Sequence, residues 1–292
     1  MNQATRWRFA LAKQIAAAYA QNPNTQVVMI AGSVGRGRAD RYSDIEVDVY
    51  YTEPPTEAER TAAVENCGGL VKELDQDDDE WEEQMLIGGF HAASSTFLVI
   101  TMERYLREVI DECQIAPLAQ VRLYSLQHAV TIKGEAQVEQ WRAKAAAYPD
   151  GLVRAMLEKY LRFDGFGYAE EMLAARADLM LLYDIFVRIG RQILGALLGL
   201  NRLYMPTPDH LKWMDEMIDA MPLKPDHLST RLKQAFRLEP DQGVTLLKEV
   251  IVEIFDLVDR HAPGFETQPY RAKLEKRRPV WDAPPAGIAG LD

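Results

Sequence analysis

The hydrophobic positions at the start of the chain follow two different periods. From residue 9 to residue 19, apolar side chains recur at three- and four-residue steps, which predicts a helix that ends near Asn22. A short apolar run at 27–31 then predicts a strand, and the alternation of Ile45, Val47 and Val49 predicts a second, half-buried strand. The chain therefore begins as helix, strand, strand, with a glycine- and arginine-rich loop between the two strands.

The next part of the chain continues to mix helical and strand patterns. The sequence predicts a helix at about 56–65, a β-rich segment at 85–101 that is interrupted by Gly88 and Gly89, and a helix that begins near Met102. The acidic run at 75–83 is interpreted as a solvated loop, because runs of like charge usually lie in water. We therefore expect a mixed sheet with flanking helices in residues 1–134.

Helical periodicity dominates from residue 135 to residue 262, with breaks at 148–149, 205–208 and 223–225. The longest apolar stretch, 179–200, contains Asp184, Arg188 and Arg191, so we interpret it as a buried helix without a membrane-spanning role, in which Asp184 pairs with Arg188. Residues 263–292 hold five of the 15 prolines and are expected to form an extended tail. The predicted class is α+β, with a sheet domain (1–134), an all-α domain (135–262) and a proline-rich tail (263–292).

Charge and cysteine content narrow the classes of function. Acidic residues outnumber basic ones by 44 to 33, which gives a net charge of −11 and argues against general attraction to nucleic acid or anionic membranes. The basic cluster at 271–278 is the nearest approach to a nucleic-acid contact. Cys67 and Cys113 match no metal-ligand spacing, and the N-terminus lacks the pattern of a signal peptide. We therefore expect a cytoplasmic protein.

The segment 27–51 carries the candidate chemistry. Its first strand ends at Gly32-Ser33, ten residues follow, and Asp44-Ile45-Glu46 opens the second strand. A glycine lets phosphate approach the backbone, and Ser33 offers an amide and a hydroxyl to a phosphate oxygen. Asp44 and Glu46 are two residues apart on a strand, so their side chains point to one face and can share a Mg²⁺ ion.

This motif resembles that of the nucleotidyltransferase superfamily, with the polymerase-β-like fold, and within it the bacterial adenylyltransferases that modify aminoglycosides and lincosamides. The resemblance covers roughly residues 5–134, and a helical second half is typical of the same branch. It implies that Asp44 and Glu46 bind Mg²⁺ and that Gly32 and Ser33 hold the triphosphate of ATP or another nucleoside triphosphate. The implied reaction moves AMP to a hydroxyl of a small molecule and releases pyrophosphate.

Four further residues are candidates for nucleotide binding. Arg36 and Arg38 lie in the loop beside Ser33, where a guanidinium can grip phosphate, although solvated loop arginines explain them equally well. Ser43 precedes the first acid of the motif. Lys212, followed by Trp213, resembles the position from which related adenylyltransferases bring a lysine to the nucleotide.

One part of the family's site is missing from this chain. Family members place a third acid on a neighbouring strand, and the corresponding position falls on Thr96, or on Ala93 in an alternative register. Neither residue is a carboxylate, and Asp48 lies too far along the strand from Asp44 to close one metal site with it. His91 and the acidic run at 75–83 are the candidates for a substitute base.

Three functions therefore stay open at this point. The first is an adenylyltransferase that acts on a small molecule, and the second is a nucleotidyltransferase that acts on a protein or an RNA. The third is a nucleotide-binding relative with impaired catalysis, which the missing third acid suggests. The sequence disfavours nucleic-acid and membrane partners and leaves a homodimer open.

Overall fold

The computed structural model describes residues 2–77 and 80–276, and the chain divides into two compact units. The first unit takes in the chain up to Leu152 together with Leu203–Pro208. The second contains Val153–Arg202 and the described residues from Asp209 onward. The first unit is thus longer than the predicted domain 1–134.

A six-stranded sheet forms the centre of the first unit. Its strands are β1 (Thr25–Ile30), β2 (Glu46–Tyr51), β3 (Leu70–Asp77), β4 (Glu80–Ile87), β5 (Phe90–Leu98) and β6 (Val130–Lys133). They lie in the order β3-β4-β5-β2-β1-β6, and β2 pairs with β5 in parallel while the other pairs are antiparallel. The sheet is therefore mixed, and the predicted α+β class is confirmed.

Six helices belong wholly to the first unit, and their ends follow ordinary capping rules. Asn2 caps the first helix by accepting the backbone N–H of Thr5 at 2.8 Å, and Thr56 and Glu59 form a capping box at the third. A π-helical turn at Arg107–Asp111 continues the fourth helix. The helices are α1 (Gln3–Ala20), α2 (Gly32–Gly35), α3 (Glu57–Asn66), α4 (Val99–Leu106), α5 (Pro117–His128) and α6 (Glu135–Ala146).

The two faces of the sheet are covered by different helices. On one face, α1 and α3 pack against alternate residues of β1 and β2 in a core that includes Val47, Val49 and Tyr51. On the opposite face, Trp141 of α6 meets the ring of Tyr50 with 5.1 Å between centroids. Because α6 is fixed to the sheet by such contacts, the first unit continues past residue 134.

The acidic run at 75–83 is not a loop, so that interpretation is wrong. Its described residues lie in β3 and β4, while Asp78 and Asp79 fall outside the described part of the chain. In β4, Trp81, Glu83 and Met85 are buried on the α1 side, and Glu82 and Gln84 between them are exposed. The run is therefore a pair of amphipathic strands with an acidic outer face.

The second unit is helical, as predicted. The segment 179–200 forms one long helix whose central part is buried, and Asp184 pairs with Arg188 at 3.0 Å. No described helix is both long enough and apolar enough to cross a bilayer. The helices are α7 (Asp150–Tyr160, which begins in the first unit), α8 (Phe166–Tyr168), α9 (Ala174–Arg176), α10 (Leu179–Leu200), α11 (Met214–Asp219), α12 (Leu228–Ala235), α13 (Pro240–His261) and α14 (Gln268–Glu275), with a π-helical turn at Ala169–Leu173.

The expected extended tail is wrong for its first part. Pro269 occupies the first turn of α14, where the missing N–H of proline costs nothing, so this proline starts a helix. Residues 277–292, which hold the remaining predicted tail, lie outside the described residues.

Candidate functional site

A single helical turn after β1 holds Gly32 against Glu46. Gly32 has a left-handed φ of +58°, and the N–H of Gly35 closes the turn by donating to the carbonyl of Ala31 at 2.8 Å. A Cβ added to Gly32 would lie 2.4 Å from Oε2 of Glu46, so only glycine lets the carboxylate approach this closely. The backbone N–H of Ala31 also donates to the carbonyl of Glu46 at 3.0 Å. The turn and the acid are therefore fixed to each other.

Glu46 is the first residue of β2, and Asp44 lies two residues before it. Ile45 between them is fully buried in the core under α1, whereas Glu46 is half-buried and Asp44 is exposed. Since side chains alternate along an extended chain, both carboxylates face away from that core. Ser33 is half-buried and lies in the turn that contains Gly32.

The donor set of this turn fits a magnesium ion that is shared with a nucleotide. No group of three or more His, Cys, Asp or Glu side chains in the described chain could hold a metal by itself. Mg²⁺ is commonly bound by one or two carboxylates, with substrate phosphates and water completing its shell. Asp44 and Glu46 supply that number, and the absent Cβ at Gly32 leaves room for the Glu46 carboxylate against the turn.

The loop at 36–45 is held in place by a buried arginine of α1. Nε of Arg8 donates to the carbonyl of Ser43 at 2.7 Å, and Nη2 donates to the carbonyl of Arg41 at 3.3 Å. Arg8 is almost fully buried and its guanidinium lies 4.2 Å from the centre of the Trp7 ring. Sequence reasoning missed this residue, although it occupies a core position in the periodic stripe of α1.

Some polar residues of the loop stabilise its conformation, and others are predicted to contact phosphate. The backbone N–H of Tyr42 donates to Oδ1 of Asp40 at 2.8 Å, and the Ser43 hydroxyl donates to the same oxygen at 3.0 Å. These two bonds, the first above all, lower the pKa of the Asp40 carboxyl. Ser43 therefore stabilises the loop. Arg38 is exposed, and Arg36 is half-buried with its guanidinium 6.0 Å from the centre of the Tyr124 ring. Both arginines remain predicted phosphate contacts.

The neighbouring strand corrects the predicted position of the third acid. Thr96 is fully buried on the α1 face, where its hydroxyl donates to the carbonyl of Trp81 at 3.3 Å. It cannot face Glu46, which points to the other side of the sheet. The direct partner of Glu46 in the parallel ladder is Ala93, three residues earlier. The alternative register is therefore the one that the structure contains.

Ala93 shares its face of β5 with two polar residues. Because the side-chain period of a strand is two, His91 and Ser95 point to the same side as Ala93 and Glu46. Ser95 is half-buried, and His91 is exposed at the start of β5. His91 thus stays a candidate substitute base.

A buried acid lies two residues further along β2, on the same face as Glu46. Asp48 is 3% exposed and accepts a hydrogen bond from the hydroxyl of Ser125 on α5 at 2.7 Å. Burial raises the pKa of Asp48, while Arg122 and Ser125 oppose that shift. Arg122 in turn bonds Glu80 at 3.3 Å. This network closes the inner end of the site under α5.

Lys212 belongs to the second unit. It is exposed, and its ammonium nitrogen lies 4.5 Å from the centre of the Trp213 ring. Trp213 is only half-buried and has a φ of +57°. A role of Lys212 at the triphosphate stays a prediction.

Comparison with known proteins gives a partial match and two distant structural likenesses. A domain family of unknown function (DUF4037) matches residues 117–214, which is less than half of the chain. No curated protein matches the sequence. A nucleotidyltransferase-like protein from Exiguobacterium sibiricum is similar at 12% identity and a TM-score of 0.35, over 95% of this chain and 81% of that one.

The second likeness is to a cytoplasmic RNA terminal U-transferase, at 12% identity and a TM-score of 0.27. It covers 42% of this chain, which spans only 38% of the length of that protein.

Proposed function

We propose that the chain is a Mg²⁺-dependent nucleotidyltransferase that moves a nucleoside monophosphate, AMP from ATP in the first instance, to a hydroxyl of a small molecule. Pyrophosphate is the second product. The observation that carries this proposal is the contact of the Glu46 carboxylate with Gly32, in a turn that also presents Ser33. A carboxylate pair beside a glycine turn is suited to a metal–triphosphate complex.

The residues of the site have distinct roles in this reaction. Asp44 and Glu46 would hold Mg²⁺, which when bound neutralises charge on the phosphate oxygens. The turn at Gly32 and Ser33 positions the triphosphate, and Arg36 and Arg38 add positive charge beside it. Catalysis of this kind depends mainly on positioning and charge neutralisation.

The charge of the sheet supports a cationic acceptor. Glu82 on β4 pairs with Ser95 on one side and with Asp75 on the other, so these exposed acids share the face of Glu46. A negative surface of this type attracts cations. An aminoglycoside is the first acceptor to test, and a lincosamide is the second.

An RNA acceptor has less support. In the basic cluster at 271–278, Arg271 bonds Asp256 at 2.6 Å and Asp259 at 2.7 Å, and Lys273 pairs with Asp164. These ion pairs reduce the positive charge available to phosphate. Arg277 and Arg278 lie outside the described residues.

The proposal is tested by combining ligand binding with turnover. ATP with Mg²⁺ should raise the melting temperature, and pyrophosphate release should appear with one class of a panel of aminoglycosides, lincosamides, RNA and protein acceptors. Turnover with RNA or protein would assign the acceptor to that class. The absence of both the thermal shift and turnover would contradict the proposal.

A nucleotide-binding protein without turnover is the second candidate, and Ala93 favours it. Ala93, the partner of Glu46 on β5, has only a methyl side chain, so it provides no carboxylate to activate the acceptor. A thermal shift with ATP and Mg²⁺, without pyrophosphate release from any acceptor, would support this function.

A glutamate at position 93 should increase transfer. Ala93→Glu places a carboxylate beside Glu46, and a positioned base contributes about a hundredfold to ten-thousandfold to such steps, so we expect a gain of about tenfold or more in pyrophosphate release. Thr96→Glu is the matched control, because it buries a second acid beside Glu83 and should only lower the melting temperature. A gain from Thr96→Glu, and none from Ala93→Glu, would contradict the assigned register.

Removing the ammonium of Lys212 should weaken ATP binding. We expect Lys212→Ala to cost about 1.5–3 kcal/mol of binding free energy, the range for a hydrogen bond to a charged group, as measured by calorimetry with ATP and Mg²⁺. Lys159→Ala is the control, since that lysine also lies over an adjacent ring, Tyr160, at 5.2 Å. Equal affinities in both variants would remove Lys212 from the site.

A further inference from the structure

The second unit contains an apolar cavity of about 160 Å³, half open to solvent, among α10, α11, α12 and α13. Its walls include the side chains of Phe186, Met214, Leu232, Phe236 and Leu247. Four of these are carbon-only side chains, and the fifth is a methionine, whose thioether adapts to apolar ligands. The cavity therefore offers a surface suited to an uncharged, apolar group.

Gly190 on α10 opens the cavity. It is buried in the middle of a 22-residue helix, where glycine is less favourable than alanine, and a Cβ added there would meet no atom within 4 Å. The other glycines of the same helix differ. A Cβ at Gly195 would lie 2.5 Å from Cγ of Tyr160, and one at Gly199 would lie 2.5 Å from Cβ of Met156. Close packing explains those two glycines, whereas Gly190 borders open space.

The charge at the edge of the cavity is already neutralised. Lys233 contributes to the lining, and its ammonium is paired with Asp215, which also accepts a hydrogen bond from Ser229. An ionic ligand would lose its hydration in the cavity without gaining a new partner. A neutral ligand pays no such cost.

The aromatic residues of the wall favour a ring as the ligand. Phe236 is 39% exposed and meets Phe186 edge to face, with 5.6 Å between centroids and 85° between planes. The ring of Tyr183 also packs near Phe236, with 5.8 Å between the ring centroids. A ring placed in the cavity extends this cluster in the geometry that aromatic pairs prefer.

We propose that this cavity is a binding site for a small, uncharged aromatic ring of the size of benzene or toluene. An enclosed apolar cavity of about 150 Å³ engineered in another protein binds benzene, so the volume here suits a ligand of that size. This binding proposal does not depend on the proposed nucleotidyltransferase reaction, so each of the two can be contradicted without affecting the other.

The test is a titration of the full-length chain, labelled with ¹³C-methyl methionine, with toluene. The Met214 methyl resonance, identified with Met214→Leu, should shift and saturate, whereas benzoate, a charged molecule of similar size, should leave it unchanged. Absence of a saturable toluene shift, or an equal response to benzoate, would overturn the proposal.

Substitutions at Gly190 connect the binding to the cavity. Gly190→Leu fills the space and should weaken toluene binding at least tenfold, while Gly264→Leu, at an exposed glycine outside the cavity, should leave the affinity unchanged. If Gly190→Leu does not fold, Gly190→Ala decides the question. Its Cβ has room, so the variant should melt at a higher temperature and bind toluene more weakly than the wild type. Unchanged affinity in the folded Gly190 variant would contradict the site.

Discussion

Replacing Glu46 with glutamine is expected to abolish Mg²⁺-dependent ATP binding and to lower nucleotidyl transfer by at least about a hundredfold, the usual order for loss of a group that stabilises developing charge. Glutamine keeps the shape that fits against Gly32 and removes only the negative charge. The fold should therefore be retained. Thermal shift with ATP and Mg²⁺, together with pyrophosphate release, measures both effects.

The design of this experiment includes a matched control and a double variant. Glu53→Gln removes one exposed carboxylate just after β2 and should change neither readout. Asp44→Asn should act in the same direction as Glu46→Gln, because the proposal assigns both carboxylates to the same Mg²⁺ ion. If the double variant Asp44→Asn/Glu46→Gln still showed the full metal-dependent shift, the metal would have to bind elsewhere.

Removing the carboxylate of Glu83 is expected to destabilise the protein by about 3–5 kcal/mol, the range for breaking one side of a buried ion pair. Glu83 is fully buried, pairs with Arg60, and accepts the hydroxyl of Ser94 at 2.6 Å and that of Tyr19 at 3.2 Å. Glu83→Ala leaves the arginine and two hydroxyls without this partner. Urea unfolding measures the free energy of unfolding.

Two comparisons make this second prediction specific. Glu82→Ala, one residue away on the exposed face, should change the free energy of unfolding by no more than about 0.5 kcal/mol. The double variant Arg60→Met/Glu83→Leu should recover part of the loss, because no unpaired charge remains buried. A loss below about 1 kcal/mol in Glu83→Ala would show that Arg60 finds another partner.

Glu83 also explains why sequence reasoning failed in one part of the sheet. The buried positions of β4 follow a period of two, but an acid occupies the middle one, so the apolar alternation is broken and the segment looks solvated. By contrast, β1, β2 and the part of α1 after residue 8 carry apolar periods on the core side. Both strands and the end of α1 were predicted close to their observed bounds, whereas α1 begins at Gln3, before the first apolar position of the predicted stripe. Periodicity identifies a strand only when its inner face is apolar.

The register of β5 could not be predicted from the sequence, for a related reason. Ala92, Ala93, Ser94 and Ser95 are small residues that suit either face of a sheet, so the sequence does not determine which of them points inward. Pairing with β2 and β4 determines it in the structure. The glycine turn and the two acids, in contrast, were identifiable because their spacing has a chemical reason.

The parallel pairing of β2 with β5 has a consequence for how the site assembles. The β1–β2 pair and the β3–β4–β5 meander each join strands that are close in sequence, whereas β2 meets β5 only after a connection of about forty residues is closed. Glu46 and Ala93 lie on opposite sides of this seam. In the proposed reaction the acceptor is activated beside Glu46, so this part of the site forms only with the slow, long-range contact of the sheet. Recovery of transfer activity during refolding therefore reports when the two locally formed halves have joined.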